Sequence, residues 1–320
     1  MTRQLTLMIA ALLLSACGAA PDTNAPASSA AAPVATTAAA ADDQPSEATP
    51  PASAADMYAA TLQQVLAGAW RSDADKARDA YRHPVETLAF FEVKPNQTVI
   101  EITPGGGWYA KVLAPWIDGS GHYIAAVAKS SKPDSEAAQD ESALEKLFKA
   151  NPTEFGQAQV VEFDPKAPVF GPADSADRVL TFRNVHNWAM GGNAEAMFKG
   201  FFKVLKPGGI LGVADHRASA GEPLDKVINS GYLPVEYVTK LATDAGFVLD
   251  AQSEVNANPK DDHHHEKGVW TLPPTLALGD KDKAKYQAIG ESDRMTLRFV
   301  KPKPDEIHAA GMDGAKPAKG

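Results

Sequence analysis

Thr98-Val99-Ile100-Glu101-Ile102, followed at once by Thr103-Pro104-Gly105-Gly106-Gly107, is the stretch on which the reading of the fold turns. The first five residues are mostly β-branched, as in a strand buried on both faces of a parallel sheet. The glycines then allow a tight turn, and Tyr109, Val112 and Leu113 open a helical face beyond it. Strand, glycine-rich turn and helix in that order is the context a nucleotide-binding turn requires. Upstream, Lys94-Pro95-Asn96 is a turn signal. Pro84 suits the first turn of a helix carrying Val85, Leu88 and Phe91, and Tyr58, Leu62, Val65 and Leu66 form an earlier helical face.

Downstream, residues 123–127, 159–163, 178–182 and 210–214 read as four further strands alternating with helical stretches. Residues 247–255 read as a sixth and 295–300 as a seventh. The alternation predicts an α/β protein with a doubly wound, Rossmann-like, seven-stranded and mostly parallel sheet. Ala194, Met197, Phe198, Phe201, Phe202 and Leu205 keep helical spacing and are expected in the core. That helix stops at Lys206-Pro207-Gly208-Gly209, because proline cannot continue it and glycine tolerates a left-handed turn. A helix from Pro234, with Val238, Leu241, Ala242 and Ala245 inward, ends at Gly246.

The amino terminus reads as a bacterial lipoprotein signal peptide over residues 1–17. Arg3 precedes an apolar run, residues 5–14, too short to span a bilayer. The run ends in Leu14-Ser15-Ala16-Cys17-Gly18, where small residues before the only cysteine match a lipobox. Cys17 is therefore the expected lipidation site, and the expected location is exported, at the periplasmic face of the outer membrane, since Gly18 is not the aspartate associated with inner-membrane retention. Residues 18–55 are a linker of Ala, Pro, Ser, Thr and Asp, expected to be disordered for want of apolar surface. Residues 303–320 form a similarly biased tail. Residues 56–302 then make one domain of about 250 residues, with N-terminal helices over 56–94 and an insertion over 256–293 between the last two strands. The net charge of −9 and pI near 5.4 argue against a nucleic-acid partner.

Two motifs in this frame, Glu101-Ile102-Thr103-Pro104-Gly105-Gly106-Gly107 and Leu205-Lys206-Pro207-Gly208-Gly209, resemble those of the class I S-adenosylmethionine-dependent methyltransferases. More narrowly, Ala80-Tyr81-Arg82-His83-Pro84, Arg183-Asn184-Val185-His186-Asn187-Trp188 and Asp215-His216-Arg217 resemble a group of uncharacterised bacterial methyltransferases. The resemblance implies S-adenosylmethionine as cofactor. It implies that Gly105 and Gly107 let the backbone approach the cofactor's amino-acid portion, that Glu101 anchors the turn or reaches its ammonium, and that Asp164 receives the adenine amino group. Two departures stand out: Thr103 occupies the place of the usual first glycine, and the second strand runs to Ala128 without the acid that accepts from ribose hydroxyls.

Ligands of open parallel sheets sit beyond the carboxyl ends of the strands. Asn184 and His186 after the fourth strand, with Asp215, His216 and Arg217 after the fifth, are therefore the expected catalytic residues. A histidine would take a proton from the attacking group, Asp215 would fix the imidazole tautomer, and Arg217 would hold an anionic substrate. Trp188 and Trp270 are either walls of the site or packing residues. Asp261-Asp262-His263-His264-His265-Glu266 raises the further expectation of a divalent metal on His263, His264 and His265, joined to His186 and His216, against the simpler alternative of a solvated loop. The expected function is methyl transfer to a small molecule or surface group; the alternative is an exported binding protein of the same fold for a metal ion or small anion. Replacing Cys17 with Ser is expected to move the protein from the membrane fraction to the soluble fraction on fractionation; retention equal to wild type would rule out this anchor.

Overall fold

The computed structural model describes residues 53–117, 119–130 and 136–306. Cys17, the signal peptide, nearly all of the linker and most of the tail lie outside the described residues. The folded unit opens with four helices: α1 (Ala54–Leu66), α2 (Asp73–Lys76), α3 (Asp79–Arg82) and α4 (Pro84–Phe90). Ser53 and Ser72 each form a capping box, accepting from the backbone N–H of Asp56 and Asp75 while those carboxylates accept in return. His83 sits in the left-handed region at φ 41° between α3 and α4, which sets the bend that Pro84 then turns into a new helix.

The rest alternates as the sequence predicts: β1 (Thr98–Ile102), α5 (Ala110–Trp116), β2 (His122–Ala128), α6 (Glu136–Ala150), α7 (Pro152–Phe155), β3 (Gln159–Phe163), β4 (Ala176–Phe182), α8 (Val185–Gly191), α9 (Ala194–Val204), β5 (Leu205–His216), α10 (Leu224–Val227), α11 (Val235–Asp244), β6 (Val248–Ser253), α12 (Lys283–Ile289) and β7 (Arg294–Val300). The seven strands form one sheet in the order β3-β2-β1-β4-β5-β7-β6. Pairing is parallel except that β7 runs antiparallel to both β5 and β6. The order reverses between β1 and β4, which places a ligand edge at their carboxyl ends.

Strand β5 departs most from expectation, running from residue 205 to 216 rather than 210 to 214. At its start, Gly208 at φ 79° lets its N–H donate to the Lys301 carbonyl at 2.7 Å, so the Pro-Gly-Gly turn stays clasped to the end of β7. At its finish, Asp215 pairs with Met295 and His216 with Arg294. Both are thus strand residues with fixed directions rather than members of a following loop.

Alternate residues of the strands feed two apolar clusters on the two faces. Ile100, Val179 and Leu211 pack with Phe198 and Phe201 of α9 and with Val238 and Leu241 of α11. Val99 and Leu180 pack with Leu62, Leu88, Phe91 and Leu113 of the N-terminal helices and α5. The insertion is ordered, with a 3-10 turn at Gly268–Thr271 and helix α12. Its hub is Asp261, whose buried carboxylate accepts from Tyr232 Oη at 2.8 Å, His265 Nε2 at 2.8 Å, and the backbone N–H groups of His263 at 3.0 Å and Asp293 at 2.8 Å.

Gly212 of β5 carries α4 directly against the sheet: a Cβ there would come 2.7 Å from the Phe91 ring and 2.8 Å from Leu180. Gly212→Ala is expected to destabilise the domain by about 1–3 kcal/mol through overpacking, read as a lower urea midpoint with an unchanged slope.

Candidate active site

A cavity of about 760 Å³ opens over the carboxyl ends of β1, β4 and β5, roofed by the N-terminal helices and by Trp270 and Thr275 of the insertion. The backbone that shapes its floor is strained at two non-glycine residues, Thr103 at φ 51° and Arg183 at φ 64°, each turning the chain out of a strand at the ligand edge. Both turns are held from outside. Thr103 N–H donates to the Ala126 carbonyl at 2.8 Å and Arg183 N–H to the Ala214 carbonyl at 2.8 Å. The Asn184 amide donates to the carbonyls of Ile102 and Thr103, both at 3.1 Å, strapping the end of β4 to the end of β1. Asn184 is therefore a positioning residue.

Two histidines meet at this edge with ring centroids 4.9 Å apart. His186 Nδ1 lies 2.9 Å from Asp215 Oδ1. A carboxylate only accepts, so Nδ1 carries the proton and Nε2 is left as the basic nitrogen. Asp215 is fully buried and also accepts from the backbone N–H of His216 at 2.7 Å. His216 Nε2 accepts from Arg183 Nε at 3.5 Å, and its Nδ1 meets Ser292 Oγ at 2.5 Å. Burial, then His186 and the guanidiniums of Arg183, Arg294 and Arg82, hold His216 well below the usual histidine range, so it is a neutral imidazole.

The opposite wall is aromatic and cationic. Tyr109 stacks on Phe182 with centroids 3.6 Å apart, and the Arg82 guanidinium lies 4.6 Å from the Trp108 ring. Glu291 accepts from Arg78 at 2.7 Å, Arg82 at 3.2 Å and Arg294 at 2.8 Å. Burial pushes the Glu291 carboxyl up, but the guanidiniums of Arg82, Arg294, Arg183 and Arg78 outweigh it and hold the group at about 2. Glu101, deeper in the cavity, accepts from Tyr123 Oη at 2.6 Å. Its burial raises it to about 7, against the Tyr123 hydrogen bond and the charge of Arg82.

The sequence matches no protein-family model and no curated protein. Solved structures do resemble it. A candidate sarcosine dimethylglycine methyltransferase from Galdieria sulphuraria superposes with a TM-score of 0.51 at 14% identity, over 72% of this chain and 88% of that one. The cyclase SpnF gives 0.50 at 14% identity, over 78% of this chain and 95% of its own. A SAM dependent methyltransferase from Aquifex aeolicus gives 0.47 at 17% identity, over 70% and 93%. The chain has the class I methyltransferase fold.

Within that fold, several expected site residues stand where the sequence places them. His186, His216, Asn184, Glu101, Thr103 and Gly105 line the cavity, and Asp215 backs His186 from beneath. Others do not. Arg217 grips Asp293 through Nε at 2.8 Å and Glu254 through Nη1 at 2.8 Å, so it ties the insertion to β5 and is not free for a substrate. Asp164 is exposed and accepts from the Lys166 N–H at 2.9 Å in its own turn, away from the cavity. Gly107, at φ 78°, is buried where a Cβ would come 2.8 Å from Leu144, so it makes room for α6 rather than for a ligand. Trp188 packs on Phe201 in the core, while Trp270 is the wall.

The three-histidine metal set does not form either. His263 turns to Asp293 at 3.1 Å, His264 to Glu222 at 3.4 Å and His265 to Asp261 at 2.8 Å. Tyr232 stands between the tract and the strand-end pair, its ring 5.4 Å from His263 and 6.4 Å from His216. His186, Asp215 and His216 do bring donor atoms within 4.8 Å of one another. The Arg183 guanidinium beside His216 nevertheless suits proton chemistry there better than a cation.

Sequence reasoning assigned no role to Arg78, Arg82, Arg183, Glu291 and Ser292. Two signals were present: Arg82 and Arg183 sit inside the motifs that carry the resemblance, and Glu291-Ser292-Asp293-Arg294 is a polar run, buried throughout, at the mouth of an apolar strand.

A carboxyl raised on folding favours the native state at low pH, and that advantage is lost as pH rises through its folded value. Compared with Glu101→Gln, wild type is expected to lose on the order of 3 kcal/mol of stability between pH 4.5 and about 7. His216 has the opposite slope but is common to both proteins and cancels. Urea unfolding across that pH series checks this; parallel curves would refute it.

Proposed function

We propose that this chain is an exported, lipid-anchored methyltransferase that binds S-adenosylmethionine at the turn after β1 and methylates a small molecule held against His186. The observation that carries the reading is that the glycine turn and the His186–Asp215 pair line or back one cavity, at the switch in strand order where this fold takes ligands. The N-terminal lipobox supports the location.

The turn fits the amino-acid end of the cofactor. Gly105 and Gly106 line the cavity, and a Cβ on Gly106 would meet nothing within 4 Å, so ligand atoms have room beside the backbone. Thr103 Oγ1 is buried with no hydrogen-bond partner, a cost that a ligand's polar group would remove. Glu101 is placed to receive an ammonium, which would draw its carboxyl back to the charged form. The adenosine end is less well provided, since Asp164 stands outside the cavity and β2 ends at Ala128.

Bound S-adenosylmethionine supplies an electrophilic methyl on a positively charged sulfur. The chain's contribution is to hold the acceptor in line and take its proton. With Nδ1–H committed to Asp215, His186 Nε2 receives the proton from the attacking oxygen or nitrogen, and the buried carboxylate balances the imidazolium that forms. His216 stays neutral and fixes the His186 ring by contact.

A second reading, a binding protein of the same fold that performs no methyl transfer, is favoured by the weak adenosine end and by the cyclase among proteins sharing the fold. Calorimetry with S-adenosylhomocysteine separates the two. Wild type is expected to bind. Gly105→Val should abolish binding, with its circular dichroism unchanged, because a branched side chain at φ 57° fills the approach. Asp164→Ala should bind as wild type does. No heat from wild type at millimolar ligand would overturn the methyltransferase reading in favour of the second.

A further inference from the structure

The arginines in the cavity outnumber the carboxylates available to them. Arg78 and Arg82, from the segment around α3, and Arg183, from the turn after β4, line the cavity, and Arg294 at the start of β7 joins the group at Glu291 without lining it. Three of the four share the single carboxylate of Glu291. Among the described residues, no carboxylate lies within ion-pair distance of Arg183, although Arg183 is half-buried and lines the cavity. The Nη2 of Arg78 is buried without a partner, and Arg78 lines the same cavity.

Every other acid nearby is already committed. Asp215 Oδ1 accepts from His186 Nδ1 and the His216 N–H, and its Oδ2 faces the His186 N–H at 3.3 Å. Glu101 is bonded to Tyr123 and, raised to about 7, carries little charge below that pH. Asp75 pairs with Lys111 at 2.8 Å. The imbalance is felt by the guanidiniums: burial, with their mutual repulsion, lowers Arg82 to about 9 and Arg183 to about 10 despite Glu291. An unpaired charge taken out of water costs several kcal/mol, and a planar fork of donors facing a cavity is the group best matched to a carboxylate or phosphate.

We infer that the cavity binds a small oxyanionic molecule, its carboxylate or phosphate gripped by Arg183 and Arg82 with Arg78 at the mouth. This deepens the methyl-transfer reading by naming the acceptor's class, and rests on that reading only for the word acceptor. Arg183 touches His216, whose ring is 4.9 Å from that of His186. An anion on Arg183 therefore delivers the remainder of the molecule to the basic nitrogen of His186. A net cationic acceptor is disfavoured by the same field.

The test uses the full chain, with pyrophosphate and malonate as probes and glycerol as a neutral control at constant ionic strength. A saturable rise in melting temperature and calorimetric binding are expected for at least one probe and not for glycerol; pyrophosphate alone marks a phosphate-bearing ligand, malonate alone a carboxylate. Arg183→Gln should weaken that binding by about tenfold or more, yet melt no lower than wild type when unliganded, because it removes an unpaired charge; a merely structural arginine would give the reverse. Should Arg183→Gln fail to fold, Arg78→Gln, at a side chain 25% exposed, carries the same expectation of weakened binding. No saturable shift with either probe, or variant affinity equal to wild type, overturns the inference. Titration of the same wild-type sample with S-adenosylhomocysteine keeps the two readings apart: cofactor product bound without anion defeats the inference alone, and anion bound without cofactor product defeats the methyltransferase reading alone.

Discussion

Asp215 is completely buried near the carboxyl end of β5, and its carboxylate gathers the His186 imidazole and the backbone N–H groups of His186 and His216. A buried carboxylate without such donors would be strongly unfavourable. The requirement to satisfy it fixes the start of α8 against the end of β5, the tautomer of His186 and the spacing of the two rings. Because Asp215 is still paired with Met295 of β7, its direction is set by the sheet and not by a loop. The geometry of the ligand edge follows from that one group.

A second buried carboxylate does the equivalent work for the insertion. Asp261 collects Tyr232, His263, His265 and Asp293, while Asp293 in turn takes Arg217 and His263. His263 and His265 of the histidine-rich tract are thereby tied into the architecture of the insertion. Its effect on the site is indirect: the ordered insertion carries Trp270 and Thr275 over the cavity and delivers Ser292 to His216 and Glu291 to the arginines. Closing the cavity with protein rather than water strengthens each charge interaction within it.

An acidic protein thus encloses a basic cavity. The net charge of −9 describes a surface of many exposed carboxylates, whereas the ligand edge concentrates Arg78 and Arg82, which share Glu291, and Arg183, which has no carboxylate within ion-pair distance among the described residues. Net charge bears on solubility and on gross partners; the charge a bound molecule meets is a local matter.

The sequence by itself determined the sheet. Local β-branched runs, a glycine turn after the first, and proline and glycine at helix ends are properties of neighbouring residues, so β1 and β3 fall on the residues expected and α9 and α11 begin and end close to them. It also determined that His186, Asp215 and His216 meet, since neighbouring parallel strands bring their ends together. What only the tertiary structure decided was the direction and partnership of long polar side chains. Arg217, His263 and His265 turned to carboxylates of the insertion and His264 to Glu222, Asp164 turned to its own loop, and Arg82 and Arg294, 212 positions apart by the numbering, converged on Glu291. Charged groups take whichever counter-charge the fold brings near, and that depends on contacts between segments distant in the chain, which no local pattern of residues encodes.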